Sequence, residues 1–191
     1  MTSAKIILLN GTSSSGKSTI ARELQRVLPG YFLHVGIDQF LERVPEHFDV
    51  FSDGISPASA EGFLWVVHEG RLQETRIGPA GYRLLEGMYR SFALLSSLGI
   101  DLIVDDVIFQ PEVWEMMQRI LGPHDLVRVG VRCPLEVAEA REASRGDRFP
   151  GLVRAHYPFM SSITGYDFEV DSSRTTAEEA ATLIRDYVLS R

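Results

Sequence analysis

The chain has 191 residues, the size of one ordinary domain, and its 45% hydrophobic and 24% charged content is that of a globular protein. A formal net charge of −7 argues against a broad basic face for nucleic acid, and no apolar run approaches the roughly 18 residues of a membrane span. The N-terminus carries no basic stretch followed by a cleavable apolar segment, so the sequence reads as soluble and cytoplasmic, with no membrane partner. Cys133 is the single cysteine, which excludes an intrachain disulfide, and it reads as a buried core residue. His34, His47, His68, His124 and His156 show no metal-ligand spacing.

Short apolar runs alternate with helical periodicity along the chain, a pattern that predicts an α/β fold with a parallel sheet covered on both faces. KIILLN at 5–10 reads as a buried strand. Ile20, Ala21, Leu24, Val27 and Leu28 then form one helical face, stopped by Pro29 and Gly30. A second strand is expected at 31–37 and a long helix over 79–98 with Leu85, Met88, Phe92 and Leu95 on one side. DLIVDDV at 101–107 follows as a third strand, then a helix from Pro111 to Leu121, a strand at 126–133 and a helix opened by Pro134. YDFEVD at 166–171 is the last strand expected. After it, Thr176 and Glu179 fit a capping box, and Ala180, Leu183, Ile184, Tyr187 and Val188 form a closing stripe.

Two segments break the alternation. Residues 39–78 carry Phe40, Phe48, Phe51, Phe63 and Trp65 and contain a candidate hairpin, FLWVVHEGRLQETRI, turning near Gly70. Residues 145–156 are rich in Arg, Gly and Pro and read as a mobile loop.

GTSSSGKS at 11–18 matches G-x-x-x-x-G-K-[ST] between a predicted strand and a predicted helix, the context the motif needs. At this chain's own residue usage, roughly 0.002 matches would arise by chance. Gly11 and Gly16 allow backbone angles that turn successive N–H groups of Thr12, Ser13, Ser14 and Ser15 into one concavity suited to an anion. Lys17 supplies a compact cation, the Ser18 hydroxyl is placed for magnesium, and Thr19 is counted with residues 11–18 among those that bind the nucleotide.

Asp105 and Asp106 end a predicted strand, where a carboxylate could hold magnesium directly or through water. Alternation of side chains leaves one of the two facing the phosphate loop, and Asp105 is the choice, with Asp106 either a solvated turn residue or near an acceptor. Asp38 ends the second strand on the same edge and could accept a proton from an attacking hydroxyl, or cap the following helix. Arg141, Arg145 and Arg148 fall at spacings of four and three, fitting either a lid that neutralises phosphoryl charge or a solvated face paired with Glu139, Glu142 and Asp147. No N-K-x-D guanine motif surrounds either lysine, which removes a GTPase reading.

LNGTSSSGKS, GID, RIGPAGYRLLEG, LIVDDV, VGVRC, REASRGDR and YDFEVD occur in the order and spacing of the chloramphenicol phosphotransferases, and nearly the whole chain resembles that family of P-loop kinases. The resemblance implies a single three-layer domain over 1–191 with a five-stranded parallel sheet, an acceptor-side insertion at 39–78 and a short lid at 145–156. It implies ATP and Mg2+ as co-substrate and cofactor, a hydroxylated small-molecule acceptor such as chloramphenicol, and a role in antibiotic resistance. Carried over by position, residues 11–18 bind phosphates, Asp38 is the general base, Arg145 and Arg148 belong to the lid, and Arg141 lies on the adenine side. The acceptor pocket is expected from 46–75 and from the stretch after the lid, where the match to the family is poor. The aromatic residues Phe40, Phe48, Phe51 and Trp65 point to a largely uncharged acceptor, since residues 39–70 supply cations only in Arg43 and, if protonated, His47 or His68. A kinase for another metabolite and a slow, regulatory ATPase are the other readings.

Overall fold

The computed structural model describes residues 4–52, 61–145 and 149–191. Five parallel strands form the main sheet in the order β2 (Phe32–Gly36), β6 (Asp101–Asp106), β1 (Lys5–Asn10), β7 (Asp125–Arg132) and β8 (Phe168–Asp171). The period of two in these apolar strands sends alternate residues to opposite layers. Ile6, Leu8, Leu102 and Val104 face α3 (Pro79–Ser97) and α4 (Pro111–Leu121). Ile7, Leu9, Ile103, Val127 and Val129 face α1 (Lys17–Val27) and α7 (Ala177–Leu189). The result is the expected three-layer α/β sandwich. Because all five strands run the same way, their carboxyl ends gather the phosphate loop, Asp38 and Asp105 along one edge.

Most predicted elements match within a residue or two. The capping box at Thr176 and Glu179 is formed in both directions. In the closing stripe Ala180, Ile184 and Val188 are buried, while Leu183 is largely exposed and Ala181 takes its place against α1. Cys133 is buried beside Ala138 and Val153.

The insertion folds as a second, three-stranded sheet. Its predicted hairpin is β4 (Phe63–His68) and β5 (Arg71–Ile77), turning through Glu69 and Gly70, both at positive φ. A strand not anticipated, β3 (Asp49–Ser52), runs parallel to β4, and the short helix α2 (Asp38–Leu41) leads toward it. The expected loop at 145–156 is corrected: α5 (Leu135–Ser144) ends before Arg145, but α6 (Leu152–Ser162) is already helical from Leu152. Glu142 explains the start of α6, because its two carboxylate oxygens each accept a bond at 2.9 Å, one from Gly151 N and one from Val153 N. Arg148, expected in the lid, lies outside the described residues.

Candidate active site

The phosphate loop leaves β1 after Asn10 and closes into α1 at Lys17. Glycine is required at position 11 by space, since a Cβ there would stand 2.5 Å from the Val131 carbonyl oxygen of the neighbouring strand. Ser14 (φ 59) and Gly16 (φ 92) reverse the chain, and α1 begins with neither a side-chain cap nor an acidic residue in its first turn. The hydroxyls of Thr12, Ser14 and Ser15 are buried without a hydrogen-bond partner among the described residues. Burying unpaired polar groups is costly, so three of them along one loop mark a segment shaped for something other than its own packing, as an anion-binding loop is. Lys17, itself buried, donates from Nζ to the Thr12 carbonyl oxygen at 3.0 Å.

Beside the loop, Ser18 Oγ donates to Asp105 Oδ2 at 2.5 Å, and His34 Nε2 stands 3.7 Å from the same oxygen. Burial alone would raise the Asp105 pKa, yet the His34 contact, the Lys17 charge and the Ser18 hydroxyl outweigh it and hold the carboxyl below its ordinary range. A hydroxyl and an ionised carboxylate held together are a fitting donor pair for magnesium. Gly36 makes the meeting possible, because a Cβ there would lie 2.5 Å from the Asp105 carbonyl oxygen and force β2 away from β6. His34 carried no motif and could be placed here only through the pairing of these two strands.

Neither earlier alternative for Asp106 is realised. It is buried, accepts hydrogen bonds from Tyr89 Oη (2.6 Å) and Val107 N, and is pushed up to a pKa of about 6, chiefly by burial. It anchors α3 to the sheet and lines neither of the cavities that Asp38 lines.

Asp38 is exposed and sits in the first turn of α2, whose N-cap is Ile37 and which has no side-chain cap bond. The N-cap position of α2 is thus held by Ile37 and not by this aspartate. It lines two cavities. One, of about 200 Å³, also takes in Lys17, Ser18, His34, Asp105 and Arg145, which is where the loop, the metal pair and the foot of the expected lid converge. The other, of about 560 Å³, is walled by Trp65, Phe109, Phe149 and His156 and carries Glu42 and Asp49. Ser13, Ile37 and Val107 border both cavities, so the two adjoin at Asp38.

The aromatic wall differs from the expected one. Trp65 is in it, its Nε1 donating to Asp49 Oδ1. Phe40 instead packs edge-on against Phe92 in the core, and Phe40 and Phe48 border a separate apolar cavity of about 600 Å³. The Phe51 side chain lies outside the described residues. Phe109 and Phe149 take the vacated role because they follow strand and lid ends at the ligand edge, a placement that composition does not reveal. The Phe109 segment is pinned on both sides, by Ile108 N donating to Asn10 Oδ1 (2.9 Å) and by Gln110 Nε2 donating to the Thr75 carbonyl (3.0 Å).

Among the described residues Arg141 pairs with neither Glu139 nor Glu142, and Asp147 lies outside them. Its guanidinium donates to the Ser172 hydroxyl (3.2 Å) and carbonyl (2.8 Å), while Glu139 takes Arg154. With Thr19, Ser144, Arg145, Ser172, Thr175 and Thr176 it borders a cavity of about 390 Å³ on the far side of Gly16, where a nucleoside attached to loop-bound phosphates would extend.

Burial pushes the His156 imidazole down to a pKa of about 4 from 6.5. Below pH 6.5 the unfolded chain takes up a proton that the folded one refuses, so stability falls as pH drops from about 6.5 toward 4, by about 3 kcal/mol for a shift of this size. His156→Phe should therefore unfold at higher urea than the parent at pH 4.5, with the advantage shrinking toward pH 7. An equal gap at both pH values would contradict this.

The profile of the family described as "Chloramphenicol phosphotransferase-like protein" matches residues 4–189. A Mycobacterium tuberculosis protein named "Putative O-phosphotransferase Rv2636" is 31% identical over 189 residues, covering 95% of this chain and 80% of the relative. Among solved structures, the M. tuberculosis APS kinase CysC in complex with AMPPNP and APS superposes with a TM-score of 0.67 at 18% identity, covering 100% of both chains. An unliganded sugar kinase from Janibacter sp. HTCC2649 gives 0.65 at 14% identity, covering 98% of this chain and 93% of that one. At these identities the structural matches speak for the P-loop kinase fold. No helix among the described residues is long and apolar enough to cross a membrane.

Proposed function

Because the chain belongs to the chloramphenicol phosphotransferase-like family, we propose that it transfers the γ-phosphoryl group of ATP to a hydroxyl of a small, uncharged, aromatic acceptor of the chloramphenicol kind. The observation that carries this reading is the position of Asp38 at the junction of the phosphate cavity and the aromatic one. A carboxylate there can take the proton of an alcohol held in the second cavity while its oxygen attacks a phosphorus held in the first.

Lys17 and Arg145 border the phosphate cavity and neutralise charge on the transferring group, a role that Arg148 shares by its place in the family's lid, and the backbone N–H groups of the loop cradle the phosphates. Ser18 and Asp105 are the residues that would hold magnesium, which when bound supplies positive charge to the phosphates. Arg141 and Ser172 border the nucleoside side. Trp65, Phe109 and Phe149 exclude water from the acceptor and orient it, so that proton transfer goes to Asp38 rather than to bulk solvent.

An anionic acceptor fits poorly. Asp38, Glu42 and Asp49 line the aromatic cavity, and no Lys or Arg does among the described residues. The test is incubation with Mg-ATP and, separately, chloramphenicol, shikimate and gluconate, with mass spectrometry of each alcohol. Phosphorylation of chloramphenicol is expected. Phosphorylation of an acid alone would move the chain to the metabolite-kinase reading, and ATP turnover with no alcohol modified would favour the regulatory ATPase.

A further inference from the structure

The aromatic cavity offers a ligand many hydrogen-bond acceptors and few donors. Among the described residues, the Trp65 indole N–H is taken by Asp49, and of the His156 nitrogens Nε2 is taken by Thr75 and Nδ1 is closed to any ligand. The Ser13 hydroxyl belongs to the phosphate loop and borders both cavities. The other polar groups that line the cavity are the carboxylates of Asp38, Glu42 and Asp49. A carboxylate offers acceptors and no donor, so a molecule seated here has to bring the donors itself.

Of the three carboxylates, Asp38 meets the reacting hydroxyl, Glu42 is exposed at the end of α2, and Asp49 is half-buried and fixed in place. Asp49 opens β3 and pairs with Phe63, two positions before Trp65, so it shares a face of the small sheet with the indole. Trp65, itself buried, donates from Nε1 to Asp49 Oδ1. The second oxygen, Oδ2, takes no hydrogen bond among the described residues and, unlike His156 Nδ1, is not shut off from solvent. Satisfying an indole N–H needs one neutral acceptor, which an asparagine or serine would supply. A carboxylate leaves a second, strongly accepting oxygen on the wall of the cavity that Asp38 also lines. We propose that Asp49 is a specificity-determining residue, accepting through Oδ2 a hydrogen bond from an O–H or N–H of the acceptor other than the hydroxyl that reacts, and that the acceptor is therefore an alcohol with a second donor group. This rests on reading the aromatic cavity as the acceptor site.

The chemistry of the partner follows. An ester, ether or nitro oxygen brings acceptors only and would set lone pairs against those of Asp49 Oδ2, whereas a second hydroxyl or an amide N–H pairs with it and carries no charge. Chloramphenicol has both of these groups. A donor held at Asp49 and the reacting hydroxyl held at Asp38 fix the acceptor at two points on one cavity wall, and two points orient the attacking oxygen where one would leave it free to swing.

The test compares the parent, Asp49→Asn and Trp65→Phe, each with chloramphenicol, with the analogue lacking the hydroxyl that does not react, and with the analogue whose amide is replaced by an ester. In Asp49→Asn the amide oxygen still takes the indole N–H and an NH2 stands where Oδ2 stood, so a donor faces a donor. The chloramphenicol KM should rise by about 10- to 100-fold while KM for ATP holds, the order expected for a lost hydrogen bond to a charged group. For one of the two analogues the parent should already show that rise and Asp49→Asn should add none, which identifies the donor that Asp49 reads. Trp65→Phe keeps an aromatic wall and releases the carboxylate, so its rise should be smaller. Equal KM for the three compounds in the parent would overturn the proposal without any variant. A folded Asp49→Asn with unchanged KM for all three, or with the same rise for all three, would mean that the carboxylate only braces Trp65, and would overturn the proposal while the kinase reading stands. Phosphorylation of shikimate or gluconate but of no chloramphenicol compound would seat an anion among these carboxylates and overturn it too, leaving a kinase. If no alcohol is phosphorylated at all, the kinase reading fails first and the proposal with it.

Discussion

Lys17→Ala loses phosphoryl transfer while its fold is kept. The ammonium is buried and donates to the Thr12 carbonyl of the loop itself. Removing it takes away a charge placed where negative charge accumulates as the phosphoryl group moves. One such preorganised donor is worth about 10²- to 10³-fold in turnover, and a full cation in a dry site stands at or above the upper end. The cost to the fold is small, because a buried cation carries a desolvation penalty that its removal relieves. Asp105 should become less acidic, since the Lys17 charge is among the influences holding its carboxyl down. The measurement is kcat with Mg-ATP and acceptor, paired with a melting curve and with binding of a non-hydrolysable ATP analogue. A folded Lys17→Ala with parental kcat would remove the loop from the reaction.

What the sequence made legible is what local chemistry dictates. The phosphate loop is a contiguous motif, and the inner strands β1 and β6 carry unbroken apolar runs, IILL and LIV, because both faces of the sheet are covered there. The hairpin at 63–77 was readable from alternation around a Glu-Gly turn. Helix α6 was not, and the reason is physical. Its N-terminal amides are capped by Glu142, nine and eleven positions earlier, rather than by a neighbouring Ser, Thr or Asp, and its interior holds Pro158. Strand β3, DVFS, has its two apolar residues side by side, so no alternation registers, unlike the equally short FEVD of β8. The site divides the same way. Lys17, Ser18 and Asp105 follow from motif and strand end, whereas His34 reaches Asp105 only through the register of β2 on β6. The aromatic wall was the least legible part, since an excess of Phe in 39–78 does not say which rings turn toward the ligand edge and which, like Phe40, turn into the core.

Asp38→Asn separates chemistry from structure at the other end of the reaction. The substitution keeps size and shape, and the residue is exposed at the start of a four-residue helix without a side-chain cap bond, so folding stability should change by no more than about 0.5 kcal/mol. An amide cannot take the proton of the attacking hydroxyl. Turnover should then fall by about 10²- to 10⁴-fold, the range for loss of a general base, which is about 3 to 5 kcal/mol on the barrier. The phosphates are held by the loop, so KM for ATP should stay close to that of the parent, and the acceptor still meets the aromatic wall, so its KM should move far less than kcat. Asp38→Glu tests position with the base retained. One added methylene carries the carboxylate away from the junction of the two cavities, and activity should lie between Asp38→Asn and the parent. Near-normal turnover in Asp38→Asn together with a lowered melting temperature would mean that Asp38 serves the entry into α2, and the proton would need another acceptor. Glu42 and Asp49 are the carboxylates that line the same aromatic cavity, and a double substitution of either with Asp38→Asn would then show the loss that Asp38→Asn alone did not.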